Sequence, residues 1–312
     1  MPARKLNCRE IIFIVGPTAV GKSEAAAVLA KKVNAEVISC DSMQVYKGMG
    51  IITSSPGARL TKYARHHLTG VVPPSRDYNV SSFRRDALKK LSGIIKRGKS
   101  AVFVGGSGLY MSILLDGIFE AGAQDFKLRE KLYKMAEKKG AFHLHSQLKR
   151  VDPEAAAKIH PNDAKRVIRA LEVFKVTGKP ISALQKERRG LRDGYKVQVF
   201  CLNMPKPALY RRIDERVEKM FRQGLVAQVR SLLKRPLGRT ASFAIGISEV
   251  SSYLRGECSL QEAKERMKLN TRRYAKRQLT WFRKDKSIQW IGVGPCQGPQ
   301  EVAQKIFRRL KN

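Results

Sequence analysis

Gly16-Pro17-Thr18-Ala19-Val20-Gly21-Lys22-Ser23 follows directly on the apolar run Ile11 to Val15 and opens an Ala-rich segment, Lys22 to Val33. The pattern G-x-x-x-x-G-K-[ST] at a strand-to-helix junction reads as a phosphate-binding loop. Its glycines let the backbone curl until successive N–H groups converge on an anion, and the helix behind adds its positive end. Lys22 is placed to reach phosphate oxygens and Ser23 to hold a magnesium ion. Which phosphate the loop takes is left open by the loop itself. Outward from this junction, strand and helix patterns alternate: a strand over Glu36 to Ser39, a helix over Ser81 to Arg97 with Ser81 or Ser82 as N-cap, a strand over Ala101 to Val104, and a helix from Gly108. Such alternation predicts an α/β fold, a parallel sheet flanked by helices. Tyr46 to Tyr78, rich in Gly, Ser and Pro, reads as a long functional loop with short strands.

From Phe119 to Gly194 the strand signal stops. Helices are expected over Asp125 to Lys139, Ala141 to Lys149, Pro153 to Ile159 and Asp163 to Val176, the last ended by Gly178-Lys179-Pro180. Tyr195 to Leu202 restores a strand. The expected organisation is therefore a core of residues 1–118 and 195–312 with an inserted all-helical domain, 119–194. In the last third, Leu260, Ala263, Met267, Tyr274 and Trp281 share one expected buried face of a long helix. Lys264, Arg266, Lys268, Arg272, Arg273, Lys276 and Arg277 occupy the other faces, suited either to a phosphate backbone or to solvent.

Lys and Arg number 62 against 26 Asp and Glu, a formal charge of +36 on 312 residues. That excess points to a polyanionic partner, nucleic acid first, with a generally basic surface as the plainer reading. The five cysteines are scattered without metal spacing, so reduced thiols in a cytoplasm are expected, with no disulfide framework. Met1-Pro2-Ala3-Arg4-Lys5 is followed by too short an apolar run for a signal peptide or a membrane span, and no membrane partner is expected.

Asp41 follows the second strand on the sheet edge that carries the loop, where open α/β sheets place ligands. It could bind a metal, take a proton or cap a turn. Asp41-Ser42-Met43-Gln44-Val45-Tyr46 groups a carboxylate, a hydroxyl and an amide that could read a nucleobase edge. Gly105-Gly106-Ser107-Gly108 forms another tight turn on that edge, a weak signal alone. His66, His67, His143, His145 and His160 read as structural.

Together these stretches resemble one family, the tRNA dimethylallyltransferases, also called tRNA isopentenyltransferases or IPP transferases. The matching segments are the phosphate loop, Asp41-Ser42-Met43-Gln44-Val45-Tyr46-Lys47-Gly48-Met49, Gly105-Gly106-Ser107-Gly108-Leu109-Tyr110, His160-Pro161-Asn162-Asp163 with Arg166 to Glu172, and Thr271 to Arg283. The resemblance implies a P-loop NTPase-like core. It also implies transfer of a dimethylallyl group from dimethylallyl diphosphate to N6 of the adenine at tRNA position 37, beside the anticodon. In that reading Gly16, Pro17, Thr18, Ala19, Val20, Gly21, Lys22 and Ser23 hold the donor's diphosphate, with Mg2+ on Ser23, and no nucleotide is hydrolysed. Asp41 is then the general base, with Thr18 and Arg216 assisting departure of diphosphate. Contacts to the tRNA anticodon stem-loop fall on Asp41, Ser42, Met43, Gln44, Ser107, Arg129, Lys165, Arg166, Val167, Ile168, Arg169, Arg272, Arg273, Lys276, Arg277 and Gln278, and the enzyme is expected to be a cytoplasmic monomer.

Several positions depart from the family pattern. Gly50-Ile51-Ile52-Thr53-Ser54-Ser55-Pro56 stands where Asp-Ile-Gly-Thr-Ala-Lys-Pro is usual, Ser107 replaces Thr, Phe243 and Ile247 replace Gln and Tyr, and Arg273 replaces Gln. The rival readings are a P-loop kinase, prenyl transfer to free AMP or ADP, and a basic RNA-binding protein without activity.

Overall fold

Five apolar residues in a row, Ile11 to Val15, are too many for a strand with one wet face, and β1 (Glu10–Val15) is buried along that whole run. The computed structural model describes residues 10–119 and 125–310, so Met1 to Lys5 and Cys8 lie outside the described residues. β1 is flanked by β2 (Ala35–Ser39), β3 (His66–His67), β4 (Ser100–Gly105), β5 (Lys196–Asn203) and β6 (Gln289–Gly292) in a six-stranded sheet of order β3-β2-β4-β1-β5-β6. Every pairing is parallel, with Ile12 opposite Val102 on one side and Gln198 on the other. Parallel strands end together, so the residues after β1, β2, β4, β5 and β6 gather on one edge. Phe13 and Phe103 stack across the β1–β4 pair with centroids 4.6 Å apart.

The chain divides into two compact units, Met1–Leu114 with Gly194–Asn312, and Leu115–Asp193. In the first, helix Lys22–Lys32 lays Ala26, Leu29 and Ala30 on the sheet and into an apolar cluster with Val302, Ile306 and Phe307 of helix Pro299–Leu310. Lys32 Nζ also sits 4.3 Å above the Phe307 ring. Edge strand β3 is anchored by a buried hydrogen bond. His67 Nε2 lies 2.7 Å from buried Glu36 of β2, which also takes Arg97 at 2.7 Å. Burial pushes the Glu36 carboxyl upward, but hydrogen bonds from Arg97 and His67 overcome this and hold it at about 2.

The second unit is helical: Phe126–Lys139, Ala141–Val151, Pro153–Lys158, Ala164–Thr177 and Ile181–Lys186. Asp152 carries two duties, accepting from the backbone N–H of Ala155 and of Ser182, each at 2.9 Å, so one buried carboxylate ties the short helices to their neighbours. Gly178, at φ 71°, adopts the left-handed cap that ends helix Ala164–Thr177. Leu132, Leu144, Leu148, Ile168 and Leu171 form its core.

Some sequence expectations are corrected. The helix read as Ser81 to Arg97 spans Val80–Lys96 and is capped by Asn79, whose side chain accepts from the Ser82 N–H, rather than by Ser81 or Ser82. The loop Tyr46 to Tyr78 contains helical turns Gly50–Thr53 and Ala58–Thr61 besides β3. In the long helix Leu260–Phe282, the buried stripe is Ala263, Met267, Ala275, Gln278 and Phe282, while Leu260 and Trp281 are each 37% exposed and do not belong to it. Among the described residues, no helix is long and apolar enough to cross a membrane.

Candidate active site

β1 ends at Val15, and the chain can turn there only because residue 16 lacks a side chain. Gly16 has φ 141°, and a Cβ on it would stand 2.5 Å from the Leu202 carbonyl oxygen. Ala19 and Gly21 follow at φ 65° and 96°, curling the backbone into helix Lys22–Lys32. No side chain caps that helix at Gly21, so its first N–H groups remain available to an anion. Lys22 Nζ folds back to donate to the Pro17 carbonyl at 2.7 Å. Burial, then the like charge of Arg216, draws the Lys22 ammonium down to about 8, with Asp41 partly opposing. Burial lowers Arg216 too, against Glu24 and Asp41. Among the described residues, no carboxylate lies within 4 Å of either cation.

Asp41, just past β2, spends one oxygen on its own turn. Oδ1 accepts from the N–H of Met43 at 2.9 Å and of Gln44 at 3.4 Å, leaving Oδ2 for other work. Gln44 is buried and occupied: its Oε1 accepts from Ser39 Oγ at 2.9 Å and its Nε2 donates to the Thr53 carbonyl at 3.4 Å. The turn after β4 is glycine-rich for a steric reason. A Cβ on Gly105 would meet the Cys40 carbonyl oxygen at 1.9 Å, on Gly106 the Gln278 Nε2 at 2.0 Å, and on Gly108 the Trp281 ring at 2.0 Å. Ser107 Oγ accepts from the Tyr110 N–H at 3.4 Å, as a cap for helix Gly108–Asp116.

Two adjoining cavities open on this edge. A polar cleft of about 950 Å³ is lined by Thr18, Lys22, Ser23 and Arg212, and a narrower cavity of about 240 Å³ by Met43, Val217, Phe243 and Met267. Thr18, Asp41, Arg216 and Tyr274 line both, so the carboxylate stands where the cleft meets the apolar space. Burial and the nearby Asp41 charge push the Tyr274 phenol upward, keeping it neutral. A separate cavity of about 650 Å³, beside the ends of β5 and β6, is lined by Lys206, Tyr210, Lys276 and Arg283 and shares no residue with the other two.

The remaining sequence candidates divide by environment. Arg273, Lys276 and Arg277 are exposed on the long helix, whereas Arg272 pairs with Asp214, Nε donating at 3.0 Å. Ser42 and Met43 are half-buried beside Asp41. In the helical unit, Arg129 donates from Nη2 to Glu172 Oε2 at 2.7 Å and Arg169 from Nη1 to the same oxygen at 3.0 Å. Lys165 and Arg166 are exposed. Val167 and Ile168 are fully buried in the unit's core, so their side chains pack rather than face a ligand, a correction to their reading as contact residues.

Sequence reasoning passed over Tyr274 as a core residue. One signal could have found it: Met267, Thr271, Tyr274 and Gln278 follow at four, three and four, a stripe whose polar members would be odd in a plain core. Phe243, 72% exposed at the mouth of the small cavity, carries no such signal.

The family model described as IPP transferase matches residues 44–285. A tRNA dimethylallyltransferase of Geobacter sulfurreducens is 45% identical over 284 residues, covering 90% of this chain and 91% of that protein. The tRNA isopentenylpyrophosphate transferase of Bacillus halodurans superposes with a TM-score of 0.71 at 38% identity, covering 97% of each chain. A eukaryotic dimethylallyltransferase acting on tRNA gives 0.78 at 30% identity, over 91% of this chain and 74% of that one. Likeness of this extent, over nine-tenths of the chain, has one meaning: the chain belongs to the IPP transferase family.

Proposed function

We propose that this chain transfers a dimethylallyl group from dimethylallyl diphosphate to N6 of the adenine at position 37 of tRNA. The observation that carries the reading is the position of Asp41, shared between a cleft lined by unpaired cations and a narrow apolar cavity. The relatives' names, tRNA dimethylallyltransferase and tRNA isopentenylpyrophosphate transferase, support it. An exocyclic aromatic amine is a poor nucleophile because its lone pair is delocalised. As the N6 lone pair attacks C1 of the prenyl group, the C1–O bond breaks, diphosphate leaves with the bonding pair, and Asp41 Oδ2 takes an N6 proton. Lys22, Arg216, the Thr18 hydroxyl and the loop N–H groups neutralise the charge that grows on the leaving oxygen.

Ser23 lines the cleft with the carboxylates of Glu24 and Asp41, a set of hard oxygen donors. Among the described residues, no cluster of His, Cys, Asp or Glu can cage a metal by itself. The ion such a site fits is Mg2+, which would take oxygens from these side chains together with those of a bound diphosphate. Ser23 Oγ would hold it, and the ion would supply charge neutralisation on the leaving group.

The target base must leave its stack, at a cost of a few kcal/mol that phosphate contacts offset. Arg273, Lys276 and Arg277 supply such contacts on the long helix, and Lys165 and Arg166 on the helical unit. A cytoplasmic monomer is the working form in this reading. Incubation with dimethylallyl diphosphate, Mg2+ and tRNA lacking the modification should add one dimethylallyl mass to a single adenosine. Turnover of ATP on a small substrate, with no prenylated tRNA, would instead establish a kinase.

A further inference from the structure

We propose that Gln278 is a positioning residue that fixes the shape of the phosphate loop from the long helix, rather than a residue that acts by touching RNA. Gln278 is only 5% exposed, and both ends of its amide are used by main chain. Oε1 accepts from the Thr18 N–H at 2.9 Å, and Nε2 donates to the Gly106 carbonyl at 2.9 Å. These two groups belong to the turns that follow neighbouring strands β1 and β4. One side chain therefore spans the seam between the loop and the glycine turn, next to Ala19, whose left-handed φ of 65° needs a neighbour held in place.

The glycine turn is shaped to admit this amide. A side chain at position 106 would occupy the space of Gln278 Nε2, and one at position 108 the space of Trp281, one helical turn on. The exposed side of the same helix carries Arg273, Lys276 and Arg277. The helix that shows cations to solvent thus holds the anion cradle from behind, and the loop is set before its ligand arrives. A loop set in advance binds more tightly, because less ordering remains to be done on binding.

This inference rests on the diphosphate reading of the cleft, and a titration of the protein with inorganic pyrophosphate and Mg2+, without tRNA, separates the two. Gln278→Leu should weaken pyrophosphate roughly tenfold, the loss expected when hydrogen bonds that order a site are removed. Gly106→Ala, which displaces the amide from the other side, should do the same, and the double variant should be no worse than the weaker single. In steady-state assays of Gln278→Leu, KM for the donor should rise while KM for tRNA stays put. Unchanged pyrophosphate affinity in both single variants, or a rise in tRNA KM alone, would overturn the positioning role. Failure of the unaltered chain to bind pyrophosphate would overturn the diphosphate reading and this inference with it.

Discussion

The cradle and the helical unit handle positive charge in opposite ways. Lys22 and Arg216 line one cleft with no carboxylate within 4 Å among the described residues, and each is drawn down by burial. Arg129 and Arg169 instead share one oxygen of Glu172, a carboxylate only 1% exposed. Burying a cation without a partner costs stability, so the first arrangement makes sense only if something else brings the negative charge. The second gives both cations a buried carboxylate partner as folded. In a chain of net charge +36, the informative cation is therefore the one the fold leaves unpaired.

The sharpest way to break that contrast is at the carboxylate between the cavities. Asp41→Asn keeps an acceptor for the Met43 N–H but loses the base, so transfer should fall about 10³-fold while thermal unfolding moves little, measured by product formation and calorimetry. Glu172→Gln should reverse the balance. It leaves two guanidiniums against a neutral amide and should cost about 3 kcal/mol, read as an earlier unfolding transition in denaturant.

Lys22→Met tests the unpaired cation directly. Transfer should drop about 10²-fold, yet the ligand-free chain should gain about 1–3 kcal/mol, because a strained charge is gone. The pH dependence has a definite sign. Lys22 titrates at about 8 when folded against 10.5 when unfolded, so between those values the unfolded chain holds the extra proton. Stability contributed at this site therefore rises with pH across that window, and the rise should vanish in Lys22→Met. The smallest effect is expected at exposed Arg273. Arg273→Ala should leave melting unchanged and reduce the salt slope of tRNA binding by about one.

The central sheet was legible because continuous apolar runs such as Ile11 to Val15 and Ala101 to Val104 have no other use in a parallel layer. β6 was not, since Gln289–Gly292 is four residues long and half polar, and becomes a strand only by pairing with β5. Asn79 was passed over as a cap because two serines follow it within the first turn, and only the chain's entry angle decides among them. In the site, the loop and Asp41 announce themselves through local spacing. Gln278 does not, for its partners lie 260 and 172 residues away, and no short-range pattern records a contact of that reach.

The apolar side of helix Pro299–Leu310 lies beyond the stretch matched by the family model, which stops at residue 285. Val302, Ile306 and Phe307 nevertheless back the helix that begins at Lys22. Trimming the protein to its recognisable motifs would keep every signature residue and strip the support from beneath the very loop they define, so a shortened version should be expressed, soluble or not, as a poor catalyst with an intact fingerprint.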